Sequence, residues 1–452
     1  MSDPGDEPFR DEEAPLASPI SRFFKLGGLA ARVGVSASVE RALGILLSPV
    51  ERERRNAELW ARNGARIAQA LGQLKGGPMK LGQMLSLQDD LLPAELAPFL
   101  RLLQQDAPPV PFEPLRRTLR HDFRPYREIF AEIDERPLAS ASIGQVHRGR
   151  LVDGREVAIK IQYPGIKKMI RADLRNLRLL VFAVGETFWK GDLEPFWDEL
   201  EARLLEELDY RRELRTQAQF VARYEDVPGV TVPRPVPEAS SARVLTSELV
   251  RGMSLDEALS ERVDSPERDQ WGRRLFDLFA EQLFSHGIIH ADPNAANFAF
   301  LPEGGVVIYD FGSVKAVPDA IRRGYASIVR AVIERRVDEL PRRLEQIGIH
   351  RINGARISQA LVDAHVNAIE PLFVGEACLG GADSVVTRLM KLALEFPRES
   401  RDITIPPDAL FVHRAMAGVM GNVARLGARA RWIERLARFV ADAERSETEG
   451  EL

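Results

Sequence analysis

Residues 17–105 read as almost wholly helical, with runs such as Glu51–Leu74 interrupted at Gly76-Gly77-Pro78. Pro78 suits the first turn of a new helix, because its missing N–H would have had no intrahelical partner there. The cluster Ala107-Pro108-Pro109-Val110-Pro111 closes this region, and a short helix over Phe112–Asp122 leads into a mixed stretch to Arg136. From Pro137 the pattern changes to strands. Ile143–Val152 and Arg155–Gln162 flank Asp153-Gly154, a strong hairpin signal. Helices are expected over Gly165–Trp189 and Leu193–Tyr224, and a strand over Arg243–Leu249 follows the Pro- and Ser-rich segment Pro228–Ser241. Arg251-Gly252-Met253 reads as a hinge, and Ser254 is placed to cap a helix opening Leu255-Asp256-Glu257. A long helix, Asp264–Ser285, precedes two short strands, Phe298–Leu301 and Val306–Tyr309, joined by a Gly turn. Beyond Val317 the chain reads helical through Asp442, with a break at Pro406-Pro407.

At 452 residues the chain exceeds what one core usually holds, so two lobes or more are expected. Hydrophobic content of 45% and charged content of 29% are those of a globular protein. A net charge of −5 lacks the basic footprint of a nucleic-acid binder. Cys378 is the sole cysteine, which excludes an intramolecular disulfide. Met1–Leu16 and Ser446–Leu452 read as disordered tails. No uncharged run reaches the ~18 residues needed to cross a bilayer. Phe23–Leu47 either packs on the protein's own core or lies on a membrane surface, with Phe23, Phe24, Leu26, Leu29, Leu43, Leu46 and Leu47 as apolar contacts.

The strongest chemical signal is His290-Ala-Asp292, followed by Asn297 and then Asp310-Phe311-Gly312. Phosphoryl transfer needs a positioned nucleophile and metal ions that neutralise charge on the transferring group. Asp292 can accept a hydroxyl proton, while Asn297 and Asp310 offer hard oxygens suited to Mg²⁺. Lys160 ends Val157-Ala158-Ile159-Lys160, a strand motif that sets an ammonium against nucleotide phosphates. Alternation sends Val157 and Ile159 to one face and Ala158 and Lys160 to the other. The segment from Leu138 to Val146 stands where a Gly-rich phosphate loop would stand, but it keeps only Gly144 and substitutes Ala139, Ser140, Ala141 and Ser142. The added Cβ atoms restrict its backbone, so phosphate geometry should differ.

Lys160 needs a carboxylate partner, and the charged run Glu206–Glu213 contains several. On a helical wheel Glu207 and Asp209 lie roughly 200° apart and Glu213 ~120° from Glu207, so periodicity does not choose among them. Lys80 and Gln83 share a helix face, and by residue type alone Lys80 reads as a surface lysine. The Arg-rich segment Arg322–Arg343 is either a phosphate or lipid patch or, the favoured reading, a solvated helix face. His147, His286 and His413 form no metal-ligand spacing.

Together these motifs indicate an α+β chain with the element order of a bilobal protein-kinase-like fold. The chain further resembles the UbiB / coenzyme-Q-biosynthesis family of atypical kinases. The resemblance rests on Lys80-Leu-Gly-Gln83-Met-Leu-Ser, Pro137-Leu-Ala-Ser-Ala-Ser-Ile-Gly-Gln-Val-His147, Val157-Ala-Ile-Lys160-Ile-Gln-Tyr-Pro-Gly165, Glu207-Leu-Asp209-Tyr and His290-Ala-Asp292-Pro. It implies an N-terminal helical extension over 17–136 carrying the KxGQ motif, a kinase-like N-lobe over 137–250 and a helical C-lobe over 251–445. Lys80 and Gln83 would cover the cleft, Glu207 and Asp209 would engage Lys80, and Glu213 would partner Lys160. Ala139, Ser140, Ala141, Ser142, Gly144, Val146, Lys160 and Glu248 would contact ATP or ADP. Asp292 would be catalytic, with Asn297 and Asp310 as Mg²⁺ ligands.

The resemblance further implies an ATPase-like role in isoprenoid quinone biosynthesis. Its partners would be a quinone precursor or other lipid and quinone-biosynthesis proteins. The chain is expected in the cytoplasm, peripheral at the inner face of the membrane. Two other functions compete: a nucleotide-gated lipid-binding scaffold without turnover, and a small-molecule phosphotransferase. One departure matters. The family loop commonly reads H-x-D-P-H-P-G-N, whereas here Asp292-Pro293 is followed by Asn294-Ala295-Ala296-Asn297. That change predicts altered loop stiffness and slower turnover. After Gly312 no A-P-E triplet follows, which argues against a conventional protein kinase.

Overall fold

The computed structural model describes residues 110–450, apart from 142, 173, 176–177, 179–193, 195–197, 199–200, 203–204, 207, 262–265, 382–383, 397–398 and 400–401. The expected KxGQ helices with Lys80 and Gln83, the membrane-surface candidate Phe23–Leu47, Ser142 and Glu207 all lie outside the described residues. Two units separate. One holds the chain up to Arg215 together with Pro235–Leu249, and the other holds Thr216–Arg234 and the chain from Val250 onward.

In the first unit helix α1 (Phe112–Asp122) precedes strands β1 (Phe130–Ser140), β2 (Gly144–Leu151) and β3 (Glu156–Gln162). Helix α2 (Tyr210–Tyr224) begins in this unit, and β4 (Val244–Glu248) completes an antiparallel sheet of order β1-β2-β3-β4. Period-two alternation drives its packing: Val157, Ile159 and Ile161 are fully buried, while Ala158 and Lys160 point to the opposite face. Phe112, Leu115 and Leu119 lie on one stripe of α1 and join the same core. The helix end is tied down where Ser241 Oγ donates to Asp122 Oδ2 at 2.6 Å and the Arg243 guanidinium pairs with the same carboxylate.

β1 begins at Phe130, ahead of the expected change at Pro137. Its exposed positions are charged: Glu132 accepts from Arg150 at 2.5 Å and Glu135 pairs with Arg116. A strand with so little apolar alternation leaves no strand signal, and Pro137 is tolerated because β1 lies at the sheet edge. Gln145 and His147 of the Ile-Gly-Gln-Val-His segment turn into the core. His147 is fully buried, its Nδ1 donating to the Asp134 carbonyl at 2.8 Å and its ring 4.8 Å from that of Phe112.

The second unit is built around α4 (Pro266–Phe284), which follows α3 (Leu255–Glu261). Ser254 and Glu257 form a reciprocal cap on α3: Glu257 Oε2 accepts from Ser254 N at 2.7 Å, and Ser254 Oγ accepts from Glu257 N at 3.2 Å. Next come β5 (Ile288–His290), β6 (Phe298–Phe300), β7 (Val306–Ile308) and β8 (Val314–Ala316). β6 and β7 form the expected Gly-turn hairpin, β7 also pairs with the two-residue strand Val230–Thr231, and β5 pairs antiparallel with β8. Trp271 of α4 is fully buried, and its Nε1 donates to the Leu301 carbonyl at 2.8 Å, so the hairpin is seated on the helix.

The rest is mostly helical: α5 (Asp319–Ile333), α6 (Leu340–Gln346), α7 (Gln359–Ile369), α8 (Val385–Glu395), α9 (Pro407–Leu426) and α10 (Trp432–Gly450). It is not helical throughout, as the sequence pattern suggests. Two antiparallel ribbons, His350–Arg351 with Ile403–Thr404 and Ala377–Cys378 with Arg429–Ala430, join distant segments. Pairings of two residues are too short to carry a period. Pro406-Pro407 opens α9 and does not merely break a helix, and Gly427 at φ +66° closes it. α10 extends past Ser446, where a tail is expected. No described helix is long and apolar enough to cross a membrane.

Burial depresses the pKa of His147 below its ordinary 6.5, outweighing the opposite pull of the Asp134 carbonyl. The unfolded chain therefore takes up its proton at higher pH than the folded one. This histidine's contribution to stability is full above pH 6.5 and is lost as pH falls through that value toward the folded pKa. Denaturant titrations across this range should show stability declining with acidity, with a shallower decline in His147→Gln.

Candidate functional site

The first unit positions a lysine. Register places Ala139 opposite Val146, Val146 opposite Lys160, and Lys160 opposite Leu245, so these four side chains form one row across the sheet. Lys160 Nζ donates to both carboxylate oxygens of Glu213, at 2.8 and 3.0 Å, and lies 5.1 Å from the centre of the Tyr210 ring. Glu213 is buried. Within the run Glu206–Glu213, Glu213 is an acid that reaches the lysine.

The wheel geometry expected for that run does not apply, because the chain breaks before α2 begins at Tyr210. Asp209 stands just outside the helix, its Oδ1 accepting from Arg211 N at 3.1 Å. Two contacts set the start of α2 against the sheet: Gln162 Nε2 donates to the Leu208 carbonyl at 3.0 Å, and Tyr210 N donates to the Ala242 carbonyl at 3.0 Å. Both Gln162 and Tyr210 are buried.

The small-residue segment forms the turn between β1 and β2, with Ala141 N donating to the Gly144 carbonyl at 2.8 Å. Gly144 itself serves packing. A Cβ there would lie 2.2 Å from the Ile161 carbonyl oxygen, a backbone atom that cannot swing aside. Ala139 and Ser140 end β1, and Val146 shares the lysine's row. Glu248 does not share that row: it lies opposite Val157, on the other face by alternation. Its relation to a nucleotide on the Lys160 face would run through backbone.

The second unit positions the acids. β5 ends at His290, whose N–H donates to Gln282 Oε1 of α4 at 2.8 Å. His290 Nε2 donates to the Asp310 carbonyl, and its ring lies 5.8 Å from that of Phe298 and 6.2 Å from that of Phe311. This imidazole joins the segment carrying Asp292 to the one carrying Asp310. Phe311 is buried against Phe220 of α2, 5.0 Å between ring centres, which anchors the second segment. Asp310 Oδ1 accepts from Gly312 N at 2.8 Å, and Asn297 Nδ2 donates to the Asp292 carbonyl at 3.1 Å and to its Oδ2 at 2.9 Å.

The altered loop is ordered by other means than a Pro-Gly turn. Asn294 caps a single 3₁₀ turn over Ala295–Asn297, its Oδ1 accepting from Ala296 N at 3.1 Å. From α9, Asn422 Nδ2 donates to the Pro293 carbonyl at 2.9 Å, and a Cβ on Gly418 would stand 2.1 Å from Pro293 Cγ. Asn422 is buried. Sequence reasoning missed Asn422, Gly418 and Gln282. The one legible trace was that Gly418 and Asn422 stand four apart on a helix, a shared face for a neighbour.

Elsewhere, several arginines of the Arg-rich segment meet carboxylates: Arg336 bonds Glu339 at 2.9 Å, Arg343 shares that carboxylate, and Arg335 pairs with Glu370. No group of three or more His, Cys, Asp or Glu fit to hold a metal occurs among the described residues. An amide oxygen and a carboxylate do fit Mg²⁺, which keeps waters and substrate phosphates in its shell. With the Asn297 Nδ2 engaged on Asp292, its Oδ1 is the atom left for a cation.

A strand lysine held by a helix glutamate, and an Asp–Asn loop joined through histidine to an Asp-Phe-Gly segment, define a kinase-like protein. Residues 102–342 match the family of the ABC1 atypical kinase-like domain, and the chain belongs to it. It is 32% identical over 437 residues to the atypical kinase coq-8, mitochondrial, of Caenorhabditis elegans, covering 92% of this chain and 57% of that protein. The atypical kinase COQ8B, mitochondrial, of Rattus norvegicus is 32% identical over 432 residues, covering 93% and 80%. The structure of the Rv3197–erythromycin complex from Mycobacterium tuberculosis is similar at TM-score 0.63 and 31% identity, covering 85% of this chain and 97% of that one. Both named kinases are mitochondrial by name, so the cytoplasmic expectation finds no support in them.

Gly144→Ala should destabilise the fold by roughly 1–3 kcal/mol, since the sheet must shift to admit a methyl group; a thermal melt checks this. Asn422→Leu leaves the Pro293 carbonyl unpaired and should cost about 1–3 kcal/mol. A denaturant titration of that variant beside the wild type checks this.

Proposed function

We propose that the protein is an Mg²⁺-dependent, ATP-using atypical kinase or ATPase that supports isoprenoid quinone biosynthesis. The observation that carries this reading is the two-oxygen grip of Glu213 on the Lys160 ammonium. A half-buried lysine held this way is pre-oriented, and in kinases that ion pair must be in place for phosphates to be bound productively. Lys160 would engage the nucleotide phosphates on the face it shares with Val146, next to the end of β1 at Ala139 and Ser140. Asn297 and Asp310 would hold Mg²⁺, which when bound neutralises charge on the phosphates. Asp292, oriented by the amide of Asn297, would accept the proton of the attacking hydroxyl or water.

Lys80, Gln83, Glu207 and Asp209 are assigned through the family resemblance to the contacts that restrict access of a peptide substrate. Asp209 at the start of α2 presents its carboxylate beside the segment that also supplies Glu213. The quinone-lipid assignment rests on that resemblance and on similarity to the coq-8 and COQ8B kinases over more than nine-tenths of this chain. Membrane contact would be peripheral.

Asp310→Asn should abolish Mg²⁺-dependent nucleotide binding, measured by calorimetry with and without EDTA. Asp292→Ala should retain binding and lose roughly 10²–10⁴-fold in phosphate release. Unchanged binding and hydrolysis in Asp310→Asn would refute the site. Tight nucleotide binding by the wild-type chain without sustained phosphate release would favour the scaffold function.

A further inference from the structure

A cavity of about 470 Å³ opens in the second unit, away from Asp292 and Asp310 in sequence and lining. Its wall is formed by Arg273 and Arg274 of α4, Arg435 of α10, the Gly304-Gly305 turn between β6 and β7, and Gly229. Three guanidinium groups thus line one concavity. Arg435 is held by Asp277, Nε to Oδ1 at 2.9 Å, and so is neutralised and fixed. Arg273 has one distant partner, the Arg429 carbonyl at 3.4 Å. Arg274 makes no ion pair among the described residues and packs flat on Gly229, where a Cβ would lie 2.7 Å from its Nε. Gly229 has φ +79°, so the turn itself demands glycine and leaves bare backbone beneath the guanidinium.

The contrast with the Arg-rich segment gives the cavity its meaning. There, Arg335, Arg336 and Arg343 are each matched by a carboxylate. In the cavity two guanidinium groups face the same space without one, and the single acid of the lining, Glu303, sits exposed on the hairpin turn. Like charges gathered in a concavity repel more than on an open surface, because less water screens them. A planar guanidinium supported from behind is a donor fork suited to phosphate oxygens.

We propose that this cavity is a second anion site that takes a phosphomonoester or diphosphate group, with Arg274 and Arg273 as donors and Glu303 opposing. It stands independently of the proposed nucleotide site. The group can come from a soluble phosphate compound or from a lipid headgroup.

The test uses the full chain in EDTA, so that metal-dependent nucleotide binding is absent. Pyrophosphate is titrated by calorimetry in one arm. In the other, co-sedimentation is measured with phosphatidylcholine vesicles with and without phosphatidic acid. Arg274→Ala should weaken binding roughly tenfold, the loss expected for a charge-assisted hydrogen bond. Glu303→Gln should tighten it by about threefold, the effect of removing one exposed opposing charge. Arg335→Ala, in the segment already matched by carboxylates, should leave it unchanged, and Arg274→Lys should keep part of it with an unaltered melting temperature. Dependence on Arg274 in the soluble arm alone identifies a free phosphate ligand, and in the vesicle arm alone a lipid headgroup. Binding in neither arm, equal binding by Arg274→Ala, or loss of binding in Arg335→Ala overturns the proposal.

Discussion

A buried carboxylate needs a cation within reach, and much of the first unit serves the pairing of Glu213 with the half-buried ammonium of Lys160. Lys160 lies on the inner strand β3, in register with Val146 and Leu245, so its place is set by backbone pairing on both sides. Glu213 must then arrive at the same spot from a helix. The break at Leu208–Asp209 and the anchoring of Leu208 by Gln162 set where α2 begins, and hence which turn presents its carboxylate. Removing Lys160 would take this cation from the buried carboxylate of Glu213, which is costlier than breaking an exposed pair.

The acid-bearing loop of the second unit follows a different principle. Backbone groups and neutral side chains hold much of it. His290 joins β5 to the carbonyl of Asp310, Asn297 grips Asp292, and α9 secures Pro293 through Asn422 and the bare surface of Gly418. The loss of the family's usual Pro-Gly turn is thereby offset: an Asn cap and an adjacent helix restrain the backbone instead.

Charge is handled unevenly over the second unit. Along Arg335–Arg343 it is cancelled locally, as in an ordinary solvated surface. Around Gly229 and Gly304 it is concentrated, with glycine backbone allowing close approach. Arginine number alone does not separate the two cases; geometry and the supply of nearby carboxylates do.

Much of this was legible in one dimension. The Asp153-Gly154 hairpin, the alternation about Lys160, the Ser254–Glu257 cap and the Phe298–Ile308 hairpin all follow from local rules, because neighbouring residues satisfy one another's hydrogen bonds and share one period. The order of chemical motifs was equally local, since each is a contiguous string. Other features needed the folded chain. Which acid meets Lys160, that Gly144 serves strand packing, that Gln145 and His147 are core residues, and that Asn422 holds the loop after Asp292 all join residues far apart in sequence. No period encodes such meetings, because they depend on where separate elements come to rest against each other. The amino-acid order determined the elements and the kinds of chemistry available; tertiary packing alone decided which side chains would share a bond.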